Sequence, residues 1–163
     1  MNAGRPLLVD YDDAIFHKYD ASKRGLVRRM LSNKLVPLLS AADGCCCGND
    51  YLRGYAARYC RNSIVLPTVV DTDRYKPRSR TVGPLVIGWI GSPTTWPNVR
   101  PLLGVLRGLT ATHGVRIRVV GAGRTAEQDR FEGLDLIDWR EDREVTDVQA
   151  MDIGIMPLDD TPF

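Results

Sequence analysis

No run of about 18 apolar residues occurs in the chain, which excludes a conventional membrane-spanning helix. Histidine is nearly absent. His17 and His113 stand far apart with no metal-ligand spacing around either, and both read as surface residues. Aromatic residues make up only 7% of the chain, too few to interleave with its basic residues as a nucleic-acid surface requires, so no nucleic-acid partner is expected. Lysine occurs four times and never after Lys76. The four cysteines, Cys45, Cys46, Cys47 and Cys60, contain no C-x2-C spacing, so they read as small apolar residues of a buried strand rather than zinc ligands. The segment 1–13 meets Arg5 and then acids before an apolar core of useful length, which predicts a cytoplasmic protein without a secretory signal.

What is present fits a folded α/β protein. The 163 residues are 44% hydrophobic and 26% charged, which excludes wholesale disorder, a collagen and a disulfide scaffold. Charge is uneven. Residues 1–84 carry 14 Lys and Arg against 8 acids, and residues 85–163 carry 8 against 12. The two halves therefore differ by ten charges, as expected of two units with different partners.

Short apolar runs alternate with helical spacing along the chain. Leu7-Leu8-Val9, the glycine-bounded cysteines of Asp43–Asn49, Ser63–Leu66, Leu85–Ile90, Val115–Val120, Leu134–Trp139 and Ile153–Leu158 predict strands. Between the first two, Leu26, Met30, Leu31, Leu35, Leu38 and Leu39 predict helix over 21–42, with Ser22 as N-cap and a break or kink at Pro37. Residues 51–59 predict a helix with Leu52, Tyr55, Ala56 and Tyr59 on one face. Val99 to Leu109 predict another, capped by Asn98, and further helices are expected after Gly123 and over 141–151. The polar stretch 71–84, with Pro77, Gly83 and Pro84, predicts a linker. This order argues for parallel sheets covered by helices, with ligands at the carboxyl ends of strands.

Four constellations could carry chemistry. Gly91-Ser92-Pro-Thr94-Thr95 follows a strand and precedes a predicted helix, where glycine permits close approach and unpaired N–H groups attract phosphate. A tight turn with a Ser/Thr cap explains the same residues. Gly121-Ala-Gly123-Arg124 ends the next strand and suits a phosphate or nucleotide; a plain turn with a solvated arginine suits it too. Asp10-x-Asp12-Asp13 ends the first strand, and clustered acids there suit Mg²⁺ or acid–base work. The pattern resembles the opening strand of haloacid-dehalogenase-like phosphatases, with Asp159-Asp160 as late acids. Ala14 stands where that family places Thr or Val, however, and no lysine follows Ser92. The basic stretch 17–34 suits an anionic membrane at its inner face or an acidic acceptor, or is a solvated helix face.

Read together, several segments resemble the nucleotide-sugar glycosyltransferases of family 4: Asp10–Phe16, Cys47–Leu52, Leu66–Tyr75, Ile87–Thr94, Val119–Gly123 and Met151–Leu158. The resemblance implies a GT-B fold, two Rossmann-like domains around a cleft, retention of anomeric configuration and no metal or other cofactor. It implies that 1–70 is the C-terminal part of the acceptor-binding domain, 71–84 the interdomain linker, and 85–163 the N-terminal half of the donor-binding domain. Gly91, Ser92, Thr94, Thr95, Gly121, Gly123, Arg124 and Trp139 would then contact the nucleotide-sugar donor. Asp12, Asp13 and Asn49 would face the cleft from the acceptor side, where a sugar, lipid or small molecule binds.

The family's N-terminal strands and its Glu-x7-Glu segment have no counterpart here, so the resemblance predicts a fragment, inactive by itself, with its catalytic residues unassigned. The rival reading is a non-catalytic α/β module that binds a nucleotide or phosphosugar.

Overall fold

The computed structural model describes residues 4–79 and 82–158. The chain folds as two compact units that divide between Val70 and Asp71. Each is α/β with a parallel sheet.

In the first unit, strands β1 (Leu8–Tyr11), β2 (Gly44–Cys47) and β3 (Ser63–Val65) lie in the order β1-β2-β3. The edge strand β1 alternates, with Val9 and Tyr11 packed inward and Leu8 and Asp10 exposed. The central strand β2 is built from the three consecutive cysteines, all free thiols, with Cys45 and Cys47 buried. Burial pushes the Cys45 thiol up to about 12 and raises that of Cys47 as well. Helix α4 (Asp50–Ala56) covers this sheet. Asn49 caps it by accepting from the Leu52 N–H at 3.0 Å, and Leu52, Tyr55 and Ala56 bury one face.

The helix expected over 21–42 is corrected to shorter pieces. After α1 (His17–Asp20) come α2 (Gly25–Leu31) and α3 (Val36–Ala41), separated by a turn. Pro37 stands in the first turn of α3, where its missing N–H has no intrahelical partner to lose, so it opens a helix instead of kinking one. Ser22 does not cap α2; its hydroxyl accepts from the Arg24 N–H at 3.3 Å, ahead of the helix. Of the predicted apolar stripe only Leu39 is fully buried, while Leu26 and Met30 are each 71% exposed.

In the second unit, β4 (Val86–Ile90), β5 (Arg116–Val120), β6 (Leu134–Ile137) and β7 (Ile153–Gly154) lie in the order β6-β5-β4-β7. The chain runs outward from β4 through β5 to β6, then crosses back to pair β7 on the other side of β4. That reversal makes the carboxyl end of β4 a topological switch point, the place where open α/β sheets leave a crevice. The expected strand 153–158 shortens to two residues, and Met156 and Leu158 are exposed.

Asn98 is not a cap. Pro97 and Pro101 instead open two successive 3₁₀ turns, Trp96–Asn98 and Arg100–Leu102, and the helix α5 (Leu103–His113) begins only after them. The segment after Gly123 is likewise 3₁₀, Gly123–Asp129. Helix α6 (Glu144–Gln149) is shorter than expected. It is tied to the sheet by buried Asp147, whose Oδ1 lies 3.9 Å from Arg118 and 3.4 Å from Arg143. The core joins Trp89, Trp96, Val99, Leu106, Ile117, Val119 and Leu134. Trp96 is fully buried, edge-on to Trp89, and donates its indole N–H to Asp129 at 2.7 Å.

The polar stretch expected to be a linker is in part a strap on the second unit. Arg74 donates to the Glu141 carbonyl at 3.3 Å, Tyr75 is hydrogen-bonded to Glu144, and Gln149 donates to the Lys76 carbonyl at 2.9 Å. Asp71 organises the turn that precedes it, its carboxylate accepting from the Asp73 N–H at 2.9 Å and the Arg74 N–H at 3.2 Å. No helix among the described residues is long and apolar enough to cross a membrane.

Candidate functional site

Both sheets gather their sequence-predicted residues at carboxyl ends of strands. In the second unit the Gly91–Thr95 loop follows β4, the Gly121–Gly123 turn follows β5, and Trp139 follows β6. These three pieces touch. Gly121 has φ of 84°, and a Cβ there would collide with the Gly91 carbonyl and meet the Trp139 Cβ at 3.3 Å. A Cβ on Gly123 would sit 3.1 Å from Pro93. The glycines of the second turn are therefore what lets the first loop lie against it.

The loop is anchored from below. Trp96 follows it directly and is fully buried, and the Gly91 N–H donates to the Val120 carbonyl at 3.1 Å. Its polar groups are turned on one another. The Ser92 hydroxyl lies 2.7 Å from that of Thr94, and the Ser92 N–H donates to the Thr95 hydroxyl at 3.2 Å. The N–H groups of Thr95 and Trp96 both donate to the Ser92 carbonyl. The expectation of a helix N-terminus here is corrected, because a 3₁₀ turn follows the loop and α5 starts at Leu103. The α5 dipole, which falls off within the first turn, therefore does not reach an anion at this loop.

Arg124 opens the next 3₁₀ turn, exposed and without an ion-pair partner among the described residues. Trp139 is half-exposed, and its ring is fixed by donation to Glu144 Oε2 at 2.9 Å. Hydrogen bonds from Tyr75 and then Trp139 hold the Glu144 carboxyl below the usual carboxylate range, and the same bond raises the Tyr75 hydroxyl. Neither Tyr75 nor Glu144 was singled out by the sequence. A small polar groove of about 180 Å³ runs beside this edge between Gly123, Glu127, Arg130 and Asp138. A cleft of about 860 Å³ opens at the opposite edge of the sheet, beside Pro84, Gly114, Arg116 and Gly133.

In the first unit, Asp12 and Asp13 follow β1 and Asn49 follows β2. Asp12 accepts from the Thr68 hydroxyl at 2.8 Å, and a Cβ on Gly48 would press into the Asp12 carboxylate at 2.5 Å, so Asp12, Gly48 and Thr68 form one surface. Asp13 is exposed beside them, while the Asn49 side chain is committed to capping α4. Among the described residues no group of three or more His, Cys, Asp or Glu side chains could hold a metal ion. Asp159 and Asp160 lie outside the described residues.

The sequence also missed His17. Instead of an isolated surface residue it is a hydrogen-bonded side chain in a groove of about 570 Å³, between Asp20 at 2.7 Å and Tyr51 at 2.6 Å. Neither family models nor curated proteins yield a match to this chain.

Proposed function

We propose that the protein is part of a retaining, nucleotide-sugar-dependent glycosyltransferase of the GT-B type, with the donor on the second unit and the acceptor on the first. The observation that carries the reading is the switch point at β4, where the Gly91–Thr95 loop, the Gly121–Gly123 turn and Trp139 come together. A diphosphate lying on that edge meets two hydroxyls, Ser92 and Thr94, and the exposed guanidinium of Arg124, which has no ion-pair partner among the described residues. An arginine fork binds phosphate oxygens in pairs and stabilises the charge that grows as the sugar leaves. The Trp139 ring, held by Glu144, offers a face beside the phosphates for a base or ribose. The acceptor, a sugar, lipid or small molecule, takes the carboxyl edge of the first unit around Asp12 and Asp13. The exposed basic and apolar residues of α2 support peripheral contact of that unit with an anionic membrane.

One observation favours a module that binds without catalysis. The loop hydroxyls are hydrogen-bonded to one another, and on this turn Arg124 is the one cation without an ion-pair partner among the described residues, set against a doubly charged leaving group. Release of nucleoside diphosphate from a panel of nucleotide sugars, by the protein produced from its own gene, separates the two readings. Turnover that persists in EDTA supports the transferase. Donor binding without turnover supports the module, and turnover that needs Mg²⁺ returns weight to a phosphatase-like use of Asp10, Asp12 and Asp13.

A further inference from the structure

The first unit carries a second constellation, beside the acid cluster and separate from it. Helix α1 follows the loop after β1, and α4 follows β2, so His17 and Tyr51 emerge at the same edge of the sheet. Asp20 Oδ1 lies 2.7 Å from His17 Nδ1, and His17 Nε2 lies 2.6 Å from the Tyr51 hydroxyl. A carboxylate only accepts, so in the neutral imidazole Nδ1 carries the proton and Nε2 presents its lone pair to the Tyr51 O–H. The three groups thus stand as orienter, base and hydroxyl, each within hydrogen-bond reach of the next.

The surroundings fit a site more than a chance surface contact. The His17 side chain is only 18% exposed, whereas Tyr51 is 62% exposed, so the base is sheltered and the hydroxyl is offered to solvent. Beneath them Phe16 and Tyr55 stack in parallel at 3.8 Å, a rigid aromatic floor. Arg58 lies over the Tyr55 ring at 4.5 Å, and Asp50 stands on the rim. The groove of about 570 Å³ has room for one or two sugar rings.

We infer that Asp20, His17 and Tyr51 form a proton relay ending at the Tyr51 hydroxyl, and that the groove takes a polyhydroxylated, sugar-like ligand. The ligand assignment rests on the acceptor-side reading of this unit; the relay does not. A ligand hydroxyl gives its proton to Tyr51 Oη as the Tyr51 proton passes to His17 Nε2. The ligand oxygen keeps the bonding pair, and the imidazolium that forms is held by Asp20. The exposed Tyr51 ring, backed by the buried Phe16–Tyr55 stack, suits the apolar face of a sugar ring, and the carboxylates of Asp20 and Asp50 suit its hydroxyls.

An aryl sulfonyl fluoride tests the relay. In that reaction the Tyr51 O–S bond forms, the S–F bond breaks, fluoride leaves with its electron pair and the proton goes to His17. Peptide mapping by mass spectrometry compares Tyr51 with Tyr19, whose hydroxyl accepts from Lys34 at 3.0 Å. The expected result is labelling of Tyr51 at least about tenfold faster than Tyr19. His17→Gln should abolish that advantage and Asp20→Asn reduce it, with Tyr19 labelling unchanged. Equal rates at Tyr51 and Tyr19 in the unaltered protein, or an undiminished advantage in a folded His17→Gln protein, would overturn the relay. Should both variants unfold, the ratio in the unaltered protein decides alone. Slowing of Tyr51 labelling by at least one of a panel of methyl glycosides supports the ligand assignment, and no slowing by any of them overturns it. Neither readout involves nucleotide binding, so their failure is distinct from failure of the donor site.

Discussion

Trp139 donates its indole N–H to Glu144 Oε2 at 2.9 Å, and Tyr75 is hydrogen-bonded to the other oxygen of the same carboxylate. A residue at the end of β6, one at the start of α6 and one in the polar strap are thereby fixed to one another. The ring that stands beside the Gly121 turn owes its orientation to this pair of bonds.

The carboxylate gives the arrangement a pH signature. Its folded pKa is depressed by the Tyr75 and Trp139 hydrogen bonds. The stability it contributes is present above the unfolded value of about 4.3 and is lost as pH falls through the folded value. Thermal melts between pH 3 and 7 should show this acid-side loss, and Glu144→Gln should flatten it. Trp139 fluorescence should change in the same range, and identical acid limbs in the two proteins would contradict the assignment.

Glycine substitutions should split by position. Gly121→Ala forces a side chain onto φ of 84° and into the Gly91 carbonyl, so a loss of about 2 kcal/mol or more is expected in denaturant titration. Gly108→Ala on α5 meets open space and should stabilise by about 0.5–1 kcal/mol.

The cysteines of β2 should be protected thiols. Cys45 and Cys47 are almost wholly buried, and burial pushes Cys45 up to about 12. Iodoacetamide at pH 8 should leave both unmodified in the native protein and modify them in denaturant. Because the folded form keeps the Cys45 proton while an unfolded thiol loses it above about 8.5, stability should fall as pH rises beyond that point. Cys45→Ala should shrink this alkaline loss.

Helix α2 should bind anionic vesicles. Leu26 and Met30 stand exposed beside Lys23, Arg24, Arg28 and Arg29. Each cation near such a surface contributes about 1 kcal/mol. Co-sedimentation with phosphatidylserine vesicles, absent with phosphatidylcholine and lost in Arg28→Glu/Arg29→Glu, is the expected result. Equal partition to both lipids would contradict it.

The strands were largely legible because β-rich runs such as Leu85–Ile90 and Val115–Val120 end in glycine turns, at the carboxyl ends where open α/β sheets leave a crevice. The helical segments were less so. Spacing alone joined Leu26 and Met30 to Leu39, though the chain turns between them and leaves the first two in water. Asn98 looked like a cap because capping residues are recognised locally, whereas Pro97 and Pro101 held the backbone in 3₁₀ turns. The Tyr75–Glu144 contact spans 69 positions and the His17–Tyr51 contact 34, so no local spacing announces either. The second arises because the fold returns two strand ends to one edge, and the first because the strap lies against α6.

Binding of a nucleoside diphosphate sugar at the carboxyl edge of the second unit is read from an amide NMR titration with a panel of such donors in EDTA. Shifts concentrated at Ser92, Thr94, Gly121, Gly123, Arg124 and the Trp139 indole are expected, with affinity about tenfold weaker in Arg124→Ala. Absence of shifts at this edge for every donor at millimolar concentration, or shifts that need added Mg²⁺, would contradict it.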